Sequence, residues 1–139
     1  MISTKGRYAI RAIIDIAEQG RDARVPLGDV AGRQSMSEKY LQRIAKSLVE
    51  AGLLAGRGGR GGGYALARPA KSITAFEVIC AAEGSLASVA CLAPDANTCD
   101  QAENCKALPL WRGLDEAVRS YLEGITVADL IAANSQKVE

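Results

Sequence analysis

Histidine is absent from the 139 residues, and this one gap excludes a large share of enzyme chemistry. It leaves no imidazole base, no Ser-His-Asp or Cys-His pair and no histidine metal ligand. The glycine-rich run from Gly56 to Gly63 lacks the Gly-Lys-Ser/Thr ending of a phosphate-binding loop. With neither a nucleophile–base pair nor such a loop, the expectation is that the chain is not an enzyme. Apolar runs of about 18 residues, the length needed to cross a bilayer, are missing too. The opening Met1–Arg7 runs straight into a helical pattern without a signal-peptide cleavage site. No membrane association is expected, and the cytoplasm is the expected location.

What is present reads as globular: 48% hydrophobic and 24% charged residues, in a length that suits one well-cored domain or a small domain with a dimerising extension. The net charge of +1 conceals a division. Residues 1–72 hold 13 Lys and Arg against 6 Asp and Glu, or +7, whereas residues 73–139 hold 4 against 10, or −6. Either the first half meets a polyanion, or the charges are simply uneven on a solvated surface.

Along the chain, Ile10, Ile13, Ile14 and Ala17 recur at helical spacing between Gly6 and Gln19, with Asp15 assigned to another face. A short helix is expected from Leu27 to Arg33, burying Leu27, Val30 and Ala31. After the turn Gln34-Ser35-Met36, Ser37 is placed to cap a second helix from Glu38 to Ala51. Leu41, Ile44, Leu48 and Val49 form its inward stripe. Glu38, Lys39, Gln42, Arg43 and Lys46 lie on its other faces, and Gly52 is placed to end it. Two short helices, a tight turn and a basic outer face make a helix-turn-helix pattern.

Leu53–Ala55 and Tyr64–Ala67 read as strands flanking the glycine-rich run, whose tip carries Arg57 and Arg60. A hairpin with so little bulk can approach another backbone closely, and two arginines suit a narrow negative groove. Beyond Pro69, Thr74-Ala75-Phe76-Glu77 is a capping box that opens a helix ending at Gly84. With Phe76 and Ile79, Cys80 falls on that helix's apolar face and reads as core. Leu110, Leu114, Val118, Tyr121, Leu122 and Ile125 then form a long apolar seam. A second box, Thr126–Asp129, opens a last short helix, with Gln136–Glu139 expected to fray.

Between these elements, periodicity vanishes from Ser85 to Ala107, where Cys91, Cys99 and Cys105 lie with seven and then five residues between them. Zinc sites prefer cysteines two to four apart, and a thioredoxin-type pair needs Cys-x-x-Cys, so both are disfavoured. The wide spacing leaves three readings: a two-iron cluster, free thiols or a redox switch.

Four stretches together resemble a known family: Ser3-Thr4-Lys5-Gly6-Arg7-Tyr8-Ala9, Val25-Pro26-Leu27, the wing's Gly61-Gly62-Gly63-Tyr64, and the cysteine segment ending in Leu110-Trp111. They are similar to the IscR-like regulators of the Rrf-two family of winged-helix transcription factors, over about residues 1–134. The resemblance implies a mainly α fold with a small β-hairpin: a winged helix-turn-helix DNA-binding domain over 1–72, then cluster loop and dimerisation helices over 73–139, in one compact, intertwined homodimer. It implies double-stranded DNA with a palindromic operator as partner. Ser37, Lys39, Tyr40, Gln42 and Arg43, followed by Lys46, would enter the major groove, and Arg57 and Arg60 on the wing the minor groove. It also implies a 2Fe-2S cluster on Cys91, Cys99 and Cys105.

This sequence departs from the family pattern in four places. The first cysteine interval is two residues longer than usual. Leu108 stands where IscR-like proteins carry a histidine ligand, Tyr8 stands where nitric-oxide-sensing relatives carry an aspartate, and Gly58 takes the place of a wing arginine. A fourth ligand is left to Asp95, Asp100, Glu103, Cys80, an external thiol or water. The leading expectation is a repressor sensing cluster status, oxygen or nitric oxide. A cluster-free thiol-redox or partner-controlled regulator is the second reading, and an iron–sulfur carrier or assembly protein the third.

Overall fold

The computed structural model of the chain describes residues 2–59, 61–89, 92 and 105–137. Among them are six helices and one hairpin: α1 (Thr4–Glu18), α2 (Leu27–Gln34), α3 (Glu38–Glu50), β1 (Leu54–Arg57), β2 (Gly63–Leu66), α4 (Ala75–Glu83), α5 (Leu108–Glu123) and α6 (Val127–Lys137). Helix α1 starts earlier than its apolar spacing predicts, because the Ser3 hydroxyl accepts from the Lys5 amide and caps it.

The core is built on α1, which packs against α2, α3, α4, α6 and β2. Its fully buried stripe is Ala9, Ala12, Ile13 and Ile16; of the positions expected beside Ile13, Ile10 and Ala17 pack half-buried against the core and Ile14 is half-buried. The reason is Asp15, which is not on an outer face: only 3% of it is exposed. Its carboxylate takes Arg33 at 2.6 Å and Gln34 Nε2 at 2.9 Å, both on α2. That bond rotates α1 so that its polar position points inward to a partner no local spacing rule could reveal.

Helix α3 follows the turn at Ser35, a non-glycine residue in left-handed conformation (φ 54°), and is capped by Ser37. Leu41, Ile44, Ala45 and Leu48 are buried. Val49 is 39% exposed and lies outside the inward stripe assigned to it, since the stripe drifts one position at the helix end. Strands β1 and β2 pair antiparallel with Leu54 opposite Leu66 and Arg57 opposite Gly63. At Gly63 (φ +149°) an added Cβ would sit 2.6 Å from the Val25 carbonyl carbon. Glycine therefore lets the wing's base lie on the segment before α2, where Val25 and Tyr64 exchange two backbone hydrogen bonds of 2.8 Å.

The Thr74–Glu77 capping box forms as expected, and so does the reciprocal Thr126–Asp129 pair. Between them, Ala75 N–H donates to Ile125 O at 2.8 Å and Val127 N–H to Ile73 O at 2.9 Å. This clip delivers Val127 to the core beside Ile73 and Val78. Helix α6 is eleven residues long and its backbone stays helical through Gln136 and Lys137, where fraying was expected.

Candidate nucleic-acid interface and cysteine segment

Helix α3 buries one face, so its remaining positions are presented outward. Lys39, Gln42, Arg43 and Lys46 are exposed. The Ser37 hydroxyl accepts from the Tyr40 amide at 3.3 Å, so its first duty is to start the helix. Tyr40 is half-buried, with the Tyr8 ring edge-on at 5.7 Å and the Arg11 guanidinium over the Tyr8 ring at 5.3 Å. Arg11 also reaches the Gln34 side chain and carbonyl, which locks the turn between α2 and α3 to α1.

The wing stands beside the second half of α3. Lys46, Val49 and Glu50 face Gly56, Arg57, Gly58 and Tyr64 across a cleft of about 630 Å³. The fold thus brings Lys46 and Arg57 to the walls of one cleft; Arg60 lies outside the described residues. A smaller cleft of about 170 Å³ joins Tyr40 and Arg43 to Lys5 of α1. Sequence reasoning missed Lys5 because it is 38 residues from Arg43, and only the closure of α1 onto α3 brings them together.

Three arginines of the chain are spent on carboxylates, none of them on this face. Arg33, Arg68 and Arg119 are paired with Asp15, Glu77 and Glu123. Burial pushes the Asp15 carboxyl up, but Arg33 and Gln34 outweigh it and hold it below the usual range. Arg68 lowers Glu77 in the same way. Lys5, Lys39, Arg43, Lys46 and Arg57 have no ion pair among the described residues. Unneutralised cations on a convex helix and an adjoining glycine-rich hairpin are what phosphates need.

The carboxyl half is arranged differently. Cys105 is half-buried just before α5, and its carbonyl accepts from Leu108 N–H at 3.3 Å. Leu108 is 7% exposed, so the position of the family's histidine ligand holds a packed hydrocarbon instead of a donor. Cys91 and Cys99 lie outside the described residues, as do Asp95, Asp100 and Glu103. Among the described residues, no group of three or more His, Cys, Asp or Glu could hold a metal ion.

Cys80 is half-buried rather than full core. Burial pushes its thiol up, Arg119 works against that and Glu123 reinforces it. Phe76, one turn earlier on α4, carries the Arg119 guanidinium over its ring at 5.1 Å. Arg119 stands eleven residues along α5 from Leu108, about 16 Å at a helical rise of about 1.5 Å per residue.

Further contacts tie the start of the cysteine segment to the rest. Ser88 N–H donates to Asp115 of α5 at 2.8 Å. Glu83, which ends α4, accepts from the Ser3 hydroxyl at 2.7 Å, from the Ser3 amide, and from the Gly6 amide at 3.3 Å. On α5, Leu110 and Tyr121 are 63% and 69% exposed, and Leu114 is exposed too. No helix among the described residues is long and apolar enough to cross a membrane.

Comparison with known proteins agrees with this geometry. A family profile described as "Rrf2: Iron-dependent Transcriptional regulator" matches residues 2–133. The HTH-type transcriptional regulator IscR of Yersinia enterocolitica is 36% identical over 137 residues, covering 99% of this chain and 81% of that protein. Among solved structures, CymR, described as the global cysteine regulator of B. subtilis, superposes with a TM-score of 0.78 at 29% identity, covering 96% of this chain and 97% of that one. T. potens IscR superposes with a TM-score of 0.74 at 30% identity, covering 96% and 88%. The chain therefore belongs to the Rrf2 family, as a winged-helix, DNA-binding transcriptional regulator similar to IscR and not an enzyme.

Proposed function

We propose that the chain is a homodimeric, cytoplasmic repressor that reads a palindromic operator and whose affinity is set by a 2Fe-2S cluster on Cys91, Cys99 and Cys105. Its labour is divided, with residues 1–72 meeting DNA and residues 73–139 sensing and dimerising. The observation that carries the DNA half is the set of unpaired cations on α3, α1 and the wing, all on elements that share one core. Ser37, Lys39, Tyr40, Gln42, Arg43 and Lys46 supply the major-groove surface, and Arg57 and Arg60 the wing contact. The exposed Leu110, Leu114 and Tyr121 support a second copy along α5, because apolar area of this kind on a helix is stabilised by a partner. Two-fold symmetry then calls for half-sites about one helical turn apart.

For the sensing half, three thiolates are the soft donors an iron–sulfur cluster takes. When bound, the cluster would supply a redox- and supply-sensitive centre. This chain's own contribution is the mounting: just ahead of the cysteines, Ser88 is hydrogen-bonded to α5 and Glu83 to the start of α1, so a change of order in the cysteine segment that follows would bear on both α5 and the DNA face. The packed Leu108 favours a second reading, a cluster-free thiol regulator, since the usual fourth donor has been replaced by a side chain that coordinates nothing. One set of measurements separates them: anaerobic purification with iron and sulfide analysis, repeated with Cys91, Cys99 and Cys105 each changed to Ala. The cluster reading expects about two irons and two sulfides per chain, lost in each variant together with a change in operator affinity. Colourless protein without iron, with operator affinity that follows thiol oxidation, supports the second reading.

A further inference from the structure

Where the first turn of α1 closes on α3, the small cleft is lined by Lys5, Tyr40, Arg43, Ile44, Ser47 and Ala82. Its lining is chemically one-sided: two cations, two hydroxyl-bearing side chains, two apolar ones and no acid. The larger cleft beside the wing includes Glu50, and the cleft of about 190 Å³ between α4 and α5 includes Asp115. Neither Lys5 nor Arg43 has an ion pair among the described residues. Two cations sharing one cleft repel each other until an anion with more than one oxygen stands between them.

The cleft's walls are held from both sides. Glu83 ties the amides of Ser3 and Gly6, so the start of α1 is fixed to the end of α4. Gly6 is required there, because an added Cβ would lie 2.9 Å from Glu83 Oε2 and 3.2 Å from Ile79 Cγ2. Opposite, the edge-on contact with Tyr8 fixes Tyr40. Since Glu83 already takes leading amides of α1, an anion in the cleft is left to the side chains of Lys5 and Arg43.

We propose that this cleft is a phosphate subsite for the DNA backbone, in which Lys5 of α1 and Arg43 of α3 grip one phosphodiester together. The proposal rests on the DNA-binding reading and deepens it. Within the major-groove surface it assigns Arg43 to backbone clamping and leaves Gln42 to read a base edge on that turn. A phosphate gripped between two helices fixes the depth and register of α3 without carrying sequence information itself.

The test measures duplex affinity between about 50 and 200 mM salt, using the DNA upstream of the protein's own gene and an unrelated duplex of equal length. Lys5→Gln and Arg43→Gln are each expected to lower the log–log salt slope by about 0.9 and to weaken binding about eightfold at about 0.1 M salt. The factor is expected to be the same on both duplexes. The double variant should lose less than the product of the two, because both residues serve one phosphate, and Lys5→Arg should keep the slope. Both positions are exposed, so circular dichroism and melting temperature should match the parent. A parent that binds with a steep salt slope while Lys5→Gln leaves that slope unchanged overturns the subsite but not the DNA-binding reading. A parent without salt-dependent binding to any duplex overturns both. An Arg43→Gln loss confined to the upstream DNA overturns the shared clamp in favour of base reading. Inorganic phosphate in millimolar amounts is the last arm: Lys5-dependent thermal stabilisation with an unchanged DNA slope would make this a site for a small phosphate.

Discussion

Helices α3 and α5 are of similar length, but α3 buries a whole face whereas α5 fully buries only Leu108, and they present different chemistry to solvent. On α3 the free face holds Lys39, Gln42, Arg43 and Lys46; on α5 it holds Leu110, Leu114 and Tyr121. A cationic face gains nothing from a like surface and waits for a polyanion, whereas an apolar face is best covered by another apolar face. One chain thus carries two incomplete surfaces that call for different partners. Among the arginines, Arg33, Arg68 and Arg119 are spent on carboxylates, whereas Arg43 and Arg57, like Arg112 of α5, form no ion pair among the described residues.

The contrast breaks most completely if α5 is made polar. Leu110→Glu with Leu114→Glu is expected to raise the dimer dissociation constant by about 10²–10³, as loss of two interface anchors does. Analytical ultracentrifugation reads this directly, and operator binding should collapse with it while far-ultraviolet dichroism persists. A dimer of unchanged strength would mean that α5's seam faces something other than a second copy. The complementary change removes charge from the other surface. Lys46→Ala with Arg57→Ala should lower the salt slope by about 1.8 and leave the oligomeric state alone, as filter binding across a salt series and sedimentation together would show.

Much of this contrast was legible in the sequence. The capping residues Ser37, Thr74 and Thr126, the glycine wing and the buried positions Leu41, Ile44 and Leu48 all announce themselves within a few residues, because caps, turns and helical stripes are local physics. What stayed hidden depends on contacts far apart in sequence. Asp15 reads as a surface acid until Arg33 and Gln34 fold onto it. Lys5 has no visible role until α1 meets α3. Cys80 reads as core because spacing cannot show that Arg119 and Glu123 of α5 lie beside it. Cys105 could be proposed as a ligand from its spacing, but that Leu108 is packed away rather than available is a statement about burial.

Asp15 gives a way to loosen α3's support without touching either outward face. Asp15→Asn keeps the shape and removes the charge that Arg33 and Gln34 bind, which is expected to cost about 1.5–3 kcal/mol, the worth of a charge-assisted hydrogen bond. Its folded carboxyl titrates below the ordinary value, so it contributes stability above the unfolded pKa of about 3.9, and that contribution is lost as pH falls through the lower folded value. Denaturant melts from neutral pH down to about 3 should therefore show a shallower acid decline for the variant than for the parent. Parallel declines would mean the pair is already satisfied in the unfolded chain.

The smallest expected effect lies at Ser35, the hinge that sets the angle from α2 into α3. Its left-handed backbone (φ 54°) costs an L-residue about 1–2 kcal/mol, while glycine in the same place costs about 0.5–1 kcal/mol in extra unfolded-state freedom. Ser35→Gly should therefore stabilise the fold by about 0.5 kcal/mol, the difference between those two terms, raising the melting temperature by a few degrees. Because Met36 N–H already closes the turn onto Ala31 at 3.0 Å, the angle should hold and the salt slope of DNA binding should stay put. A gain in melting temperature accompanied by a lower slope would show that the strain at Ser35 helps to aim α3, and that α3, unlike α5, is held in place partly by its turn.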